Sequence, residues 1–359
     1  MALSYKDMLV ELENKTGYME QAASEKPFKI PVSFFHRKPR AVGTFSIEFI
    51  FSEIRKRLDD VVESNTQFST YQSNGIWKRI YNAVEASFRQ STVNHITGDV
   101  NYLALFLNGK KTILTIHDCY FLYWVSGMTR KLFKKLWLDI PVNKCKYIVA
   151  VSEATKSEII KFTDCPPEKI RVIYSIVSDN YQPSPKQFNI DKPNILHIGT
   201  APNKNFERLA EAIKGLNCKL TVIGKLDKEK TTLLEKNGVD FSFVYNISDG
   251  EVLEQYRQCD LLCFTSVYEG FGMPIIEANA VGRPVLTSNI SSMPEVAGDA
   301  ACLVDPYNVE AIRAGLLKII NDKDYRQQLI GNGYENRKRF DIDKIADQYY
   351  QLYKEVSEA

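Results

Sequence analysis

No stretch of the 359 residues holds 18 apolar side chains in a row, so no bilayer-spanning segment is expected. The N-terminus lacks the apolar core of a secretory signal, because Lys6, Asp7, Glu11 and Glu13 interrupt it. Net charge is scant: 46 Lys and Arg stand against 44 Asp and Glu, a balance of +2. Bulk charge therefore argues against nucleic acid as a partner, and any basic patch must be local. The seven cysteines are odd in number and form no C-x-x-C pair; Cys259 and Cys263 stand four apart with no histidine cluster near them. Neither a disulfide framework nor a structural zinc site is expected, and reduced thiols of a cytoplasmic protein fit best. The G-x-G-x-x-G fingerprint of a dehydrogenase is missing after the first apolar run, Lys29–His36. A short-period repeat is also missing.

What is present is ordinary globular composition, 44% apolar and 25% charged, over about twice the length of a typical domain. Short, nearly continuous apolar runs recur at Lys29–His36, Thr112–His117, Tyr147–Ser152 and Ile170–Tyr174, then at Asn194–Gly199, Leu220–Gly224, Leu261–Thr265, Pro284–Thr287 and Ala301–Val304. Such runs suit strands buried on both faces of a parallel sheet. Helix-period stretches separate them, so two doubly wound α/β units are expected. The divisions read as an N-terminal extension over 1–27, a first Rossmann-like domain over 28–180, a proline-containing linker over 181–193, a second Rossmann-like domain over 194–340 and a terminal helix over 341–359 that returns to the first domain.

In parallel sheets, ligands bind beyond the carboxyl ends of the strands. After Leu261–Thr265 comes Ser266-Val-Tyr-Glu-Gly-Phe-Gly-Met-Pro-Ile-Ile-Glu277, where Gly270 and Gly272 allow a sharp turn and Pro274 suits the first turn of a helix. A helix start there offers backbone N–H groups to an anion. Glu269 before the glycines and Glu277 one turn into the helix suit separate sugar and ribose hydroxyls. After Asn194–Gly199 comes Thr200-Ala-Pro-Asn-Lys-Asn205, which places Lys204 where phosphate oxygens could lie. His117 and Asp118 end a strand of the first domain; Asp118 either orients the imidazole or caps the next helix. His95, in Asn94-His-Ile-Thr-Gly-Asp99, either reaches an acceptor or holds its loop.

The Glu269–Glu277 segment, with Gly282-Arg-Pro-Val-Leu-Thr-Ser and Met293-Pro-Glu-Val-Ala-Gly-Asp-Ala300 beyond it, resembles the E-x7-E signature of retaining GT-B glycosyltransferases of family 4, the group 1 type of bacteria. The resemblance implies two Rossmann-like domains facing an interdomain cleft. It implies transfer of a sugar from a nucleotide-diphosphate donor to a saccharide or lipid-linked acceptor, with no further cofactor and no metal. By the same resemblance His117, Glu269 and Lys204 carry the chemistry. Gly43, Gly199, Asn205, Gly270, Phe271, Gly272 and Glu277 serve the donor, while His95 and Asp118 lie toward the acceptor. One departure stands out. The family's arginine after the strand glycine is Thr200 here, so Arg208 or a first-domain residue would have to supply the second charge beside Lys204. Arg40 is a candidate in the early loop.

Two local signals read differently. Asp341-Ile-Asp343 spells D-x-D but opens the terminal helix, where acids cap and complement the dipole. The run Thr129–Trp137 sets Leu132, Phe133, Leu136 and Trp137 against cations, which fits either packing on the sheet or peripheral contact with an inner membrane face. The rival functional readings are a non-catalytic nucleotide-sugar-binding regulatory subunit and a sugar-nucleotide epimerase of the same fold.

Overall fold

The computed structural model describes residues 29–39 and 46–359. The expected extension over 1–27, with Gly43 and Arg40, lies outside them. The first sheet contains β1 (Ile30–His36), β2 (Val62–Phe68), β3 (Val93–Ile96), β4 (Thr112–Ile116), β5 (Tyr147–Ala150) and β6 (Ile170–Val172), in the order β2-β1-β3-β4-β5-β6. The second contains β7 (Asn194–Ile198), β8 (Lys219–Ile223), β9 (Asp240–Val244), β10 (Leu261–Phe264), β11 (Val285–Ser288) and β12 (Cys302–Val304), in the order β12-β11-β10-β7-β8-β9. Both are parallel throughout. Each sheet winds outward in both directions, with its switch point between β1 and β3 or between β7 and β10. Those are the positions where such sheets leave a crevice for a ligand.

The helices that position the site are α1 (Ser46–Arg57), α2 (Ile76–Ser87), α3 (Gly127–Lys134), α4 (Glu153–Phe162), α5 (Phe206–Ala212), α6 (Asp249–Gln258), α7 (Met273–Val281), α8 (Met293–Ala297) and α9 (Ile342–Ser357). Three apolar clusters hold the elements together. One belongs to the first domain, one to the second, and one joins Phe34 and Phe51 of the first to Phe271 and Ile275 of the second through α9. Helix α9 lies on the first domain, with the Tyr349 ring 5.6 Å from Phe51 and the Tyr353 ring 5.8 Å from Phe34. Asp341 caps its start, accepting from the N–H groups of Asp343 and Lys344, so the D-x-D acts as a helix cap. The stretch over 181–193 is pinned to the second domain. Ser184 N–H donates to Val281 C=O, Arg283 donates to Ser184 C=O at 2.9 Å, and Lys186 pairs with Asp260.

Strands β2 and β9 were not anticipated, and β3, expected to end before His95, contains it. Two of them are edge strands, half exposed, and carry polar residues on their open face. The third, β3, is fully buried but reads Val-Asn-His-Ile, with its polar groups satisfied inside the sheet. All seven cysteines are buried free thiols. Among the described residues, no helix is long and apolar enough to cross a membrane.

Candidate active site

The loops after β7 and β10 flank the second switch point. Gly199 ends β7 with a positive φ of 92°, and a Cβ there would meet Lys204 Cγ at 2.8 Å, so the glycine makes room for the lysine stem. Asn205 follows in the left-handed region, φ 60°, and its amide donates to Thr265 C=O and Pro306 C=O at 3.0 and 2.7 Å. Its oxygen accepts from Arg208 at 2.8 Å. The Asn205 side chain is thus buried and fully engaged. It braces the two loops and is not placed for direct donor contact, which corrects the sequence expectation for this residue. Arg208 donates to Asn205 and lies over the Tyr307 ring, 5.4 Å away.

Lys204 Nζ lies 2.6 Å from Glu269 Oε1, with both side chains partly open to the cleft. Asn203 ties the two loops again, donating to Tyr268 C=O at 3.0 Å and accepting from Val267 N–H at 2.8 Å. Ser291 and Ser292 clamp the loop from the other side: their hydroxyls donate to Glu269 C=O at 2.7 and 3.0 Å, and Ser292 also to Phe271 C=O at 2.6 Å. Gly272, φ 115°, starts α7 with Pro274 in the first turn and no side-chain cap. The N–H groups and dipole of this start are available to an anion next to Lys204.

Glu277 sits one turn further on, and Tyr256 Oη donates to its Oε2 at 2.6 Å. Burial pushes its carboxyl up to about 7, helped by Asp249 and opposed by the Tyr256 hydrogen bond. Between the ordinary value of 4.5 and about 7 the folded chain therefore binds more protons than the unfolded one, and stability falls as pH rises through that window. Glu277→Gln should remove this loss. The variant should be more stable than the parent at pH 8, by no more than about 3 kcal/mol, and indistinguishable from it at pH 4. Melting curves across pH check this.

The first domain meets this loop edge-on. His117 Nε2 donates to Thr97 C=O at 2.7 Å, which fixes the tautomer and leaves Nδ1 as the acceptor of the neutral ring. Gly98 leaves the space that the imidazole fills. Asp118 accepts from Tyr120 N–H at 2.8 Å in the turn before the short helix over 121–124, whose start has no side-chain cap; burial raises its carboxyl pKa. His117, Asp118, Asp99 and Asn101 line a cavity of about 220 Å³ closed by Phe133 and Trp137. His95 is not part of it. It lies inside β3, wholly buried, bound to Tyr353 Oη and Thr115 Oγ1 at 2.8 Å each, so the acceptor-side expectation for His95 is corrected to a core residue. Arg37, just past β1, pairs with Glu48 at 2.8 Å and with Asp99.

The sequence reading missed the residues that join the domains. Gly270 C=O accepts from Ser152 Oγ at 2.6 Å and Thr155 Oγ1 at 3.0 Å. Glu295 accepts the N–H groups of Glu153 and Ala154 at the start of α4, at 2.7 and 3.2 Å. Tyr268 Oη donates to Glu158 and accepts from Cys119 N–H at 3.0 Å, with its ring stacked on Tyr120. Of these residues, Gly270 and the acid at the start of α8, in Met293-Pro-Glu295, lie in segments the sequence analysis singled out. A Cβ on Gly270 would run into the carbonyl of His117. Gly270→Ala should therefore push the Glu269 loop off the first domain, lower stability by about 1–3 kcal/mol and abolish most activity. Full activity at an unchanged melting point would contradict this contact.

Comparison with known proteins agrees with this fold. The family model described as glycosyl transferases group 1 matches residues 180–336, and that described as glycosyltransferase family 4 matches residues 71–181. The chain is 28% identical to O-antigen chain mannosyltransferase B of Escherichia coli over 270 residues, 68% of this chain and 70% of that one. It is 27% identical to the serotype-specific mannosyltransferase WbdA of the same species over 297 residues, which span 70% of this chain but 36% of WbdA. Its fold matches HepE of Anabaena, solved with UDP and glucose, at a TM-score of 0.74 and 16% identity over 91% of this chain and all of that one. WaaG, a glycosyltransferase of lipopolysaccharide biosynthesis, matches at a TM-score of 0.69 and 16% identity over 90% and 99% of the two chains.

Proposed function

The chain belongs to the group 1 glycosyl transferases of the GT-B fold, and from that premise we propose that it moves a hexose from a nucleotide-diphosphate sugar to a saccharide hydroxyl, with retention of anomeric configuration, in polysaccharide or glycolipid assembly. The observation that carries the proposal is the Lys204–Glu269 pair beside the open start of α7 at the second switch point. The diphosphate takes Lys204 and the helix start, and this frees the Glu269 carboxylate for the sugar. Glu277 receives the ribose. Phe271 and Gly272 supply backbone amides, and His117 faces the sugar from the first domain.

Departure of the nucleoside diphosphate builds negative charge on its oxygens. Lys204 and the α7 dipole are preorganised for that charge, so the proposed reaction needs no divalent metal. The acceptor hydroxyl approaches through the cavity lined by Asp99 and Asp118 and attacks the anomeric carbon on the face the diphosphate leaves. The leaving phosphate oxygen takes its proton. The sugar proposed is mannose, the sugar named in the relatives from Escherichia coli. A cytoplasmic site of action at an inner membrane face is part of the same proposal, since a lipid-linked acceptor would be presented there.

The test is a thermal-shift screen with GDP-mannose and UDP-glucose, followed by chromatographic detection of the released nucleotide. Stabilisation and release by a mannose nucleotide are expected, with equal turnover in excess chelator and in magnesium. Activity that chelator removes and divalent metal restores would refute the metal-independent part.

A further inference from the structure

The outer face of α2 breaks the rule for a helix on a soluble domain. Its inner side buries Asn82, Ala83 and Ala86 against the first-domain core. Its outer side should be polar. Instead Trp77 is 81% exposed and Phe88, just past the helix, is 84% exposed, with Ile76, Ile80, Tyr81 and Val84 between them also open. Residues 77, 80, 84 and 88 recur at helical spacing and form one stripe. Exposed aromatics at this density on one stripe mark an interaction surface.

The neighbouring helix extends it. The Arg79 guanidinium of α2 lies 4.5 Å over the Trp137 ring and 5.4 Å over Phe133, joining α2 to the segment that carries α3. On α3, Met128 is 78% exposed and Leu132 about half exposed. Phe133 and Trp137 turn inward and close the cavity that holds His117, so the four apolar residues expected on one stripe of this segment are divided between cavity and surface. The charge is one-sided: residues 76–89 and 127–139 hold seven Lys or Arg and two acids, Glu85 and Asp139. Lys134 pairs with Asp139 at 2.7 Å and Arg89 with Glu85 at 2.8 Å, so both acids are already neutralised.

We propose that this α2–α3 face is a docking surface for an anionic phospholipid bilayer, Trp77, Phe88 and Met128 entering the headgroup–acyl boundary and the α3 cations meeting lipid phosphates. An aromatic stripe flanked by Lys and Arg has the chemistry of an interfacial element. Its position also fits, because the stripe leads to the rim of the acceptor-side cavity through Arg79, Phe133 and Trp137. A lipid-linked acceptor held in the bilayer would then present its sugar to His117 without leaving the membrane. That last step rests on the transferase reading; the docking itself does not.

The experiment is flotation of the full chain with vesicles of phosphatidylcholine alone and with about 30% phosphatidylglycerol, without donor or acceptor. Binding is expected to the anionic vesicles, to weaken with salt, and to fall about tenfold or more in Trp77→Ser/Phe88→Ser and, separately, in Lys131→Glu/Lys135→Glu. Brominated acyl chains should quench tryptophan emission in the parent and much less in Trp77→Phe. Melting points report whether the surface exchanges leave the fold intact, and the charge-reversal pair keeps the test open if the apolar pair does not fold. No anionic-vesicle binding, or binding that neither pair changes, overturns the proposal. So does a dimer that forms without lipid and is lost in Trp77→Ser/Phe88→Ser, or protection of α2 from hydrogen exchange that vanishes when residues 1–28 are removed, if vesicle binding is absent. Transfer to a water-soluble acceptor by a chain that does not bind vesicles would leave the transferase reading standing while the docking proposal fails.

Discussion

Glu269→Gln is expected to lower the turnover number by about 10²–10³-fold while nucleoside-diphosphate affinity stays within about threefold of the parent. The Glu269 carboxylate pairs with Lys204 at 2.6 Å, and its backbone is held by the hydroxyls of Ser291 and Ser292. Under the proposed function, donor binding would exchange that partner, the lysine turning to the diphosphate and the carboxylate to the sugar. Glutamine keeps the size and one acceptor oxygen, so the loop stays where the serines place it. What is lost is the negative charge beside a sugar ring that becomes positive as the glycosidic bond breaks. Only interactions that strengthen on the way to the transition state appear in turnover, so the loss should fall there and not on binding of the free nucleotide. Single-turnover kinetics and calorimetry separate the two. Equal loss of nucleotide binding at an unchanged melting point would show that Glu269 only holds the donor.

Lys204→Ala should do both kinds of damage. Loss of one charge-assisted contact to the diphosphate costs about 2 kcal/mol, roughly 30-fold in nucleoside-diphosphate affinity. Because the same charge grows as the diphosphate departs, turnover should fall as well, by about 10²-fold. Removing the lysine also leaves Glu269 without its ion-pair partner in a partly enclosed cleft, so a small drop in melting point is expected in the absence of donor. Lys204→Arg should not rescue fully. Gly199 grips the lysine stem closely, 2.8 Å from Cγ to where a Cβ would lie, and a planar guanidinium would reach the phosphate from a different angle. Binding that is unchanged in Lys204→Ala, measured by calorimetry, would end its assignment to the diphosphate.

The loops that carry the candidate site were legible because their residues are local. Glu269, the two glycines and Glu277 lie within nine residues of one strand-to-helix turn, and Lys204 lies on the next such turn; a parallel sheet brings both loops to one edge. Most central strands were equally plain, since burial on both faces favours continuous apolar runs, β3 with its buried Asn94 and His95 being the exception. Edge strands such as Asp240–Val244 keep one face in solvent and carry no such run.

The contacts between domains were not legible, because they join residues more than a hundred positions apart. Ser152 with Gly270 and Glu153 with Glu295 are examples. His95 misled for a related reason. Histidine near a strand end suggests chemistry, yet both ring nitrogens are spent on Tyr353 and Thr115, and Tyr353 comes from the far end of the chain. Asn205 sits in the expected loop but turns its amide inward, a direction that spacing alone does not encode.

The central claim is that the Lys204–Glu269 cleft catalyses and does not merely bind. It is tested most directly by following nucleotide release from GDP-mannose in the absence of acceptor, with the parent and Glu269→Gln compared at equal nucleotide occupancy. The account predicts slow but measurable GDP release by the parent and loss of that release in Glu269→Gln, although the variant still binds GDP. Tight GDP binding by the parent with no release, and no transfer to any saccharide offered, would contradict it and leave a nucleotide-sugar-binding subunit.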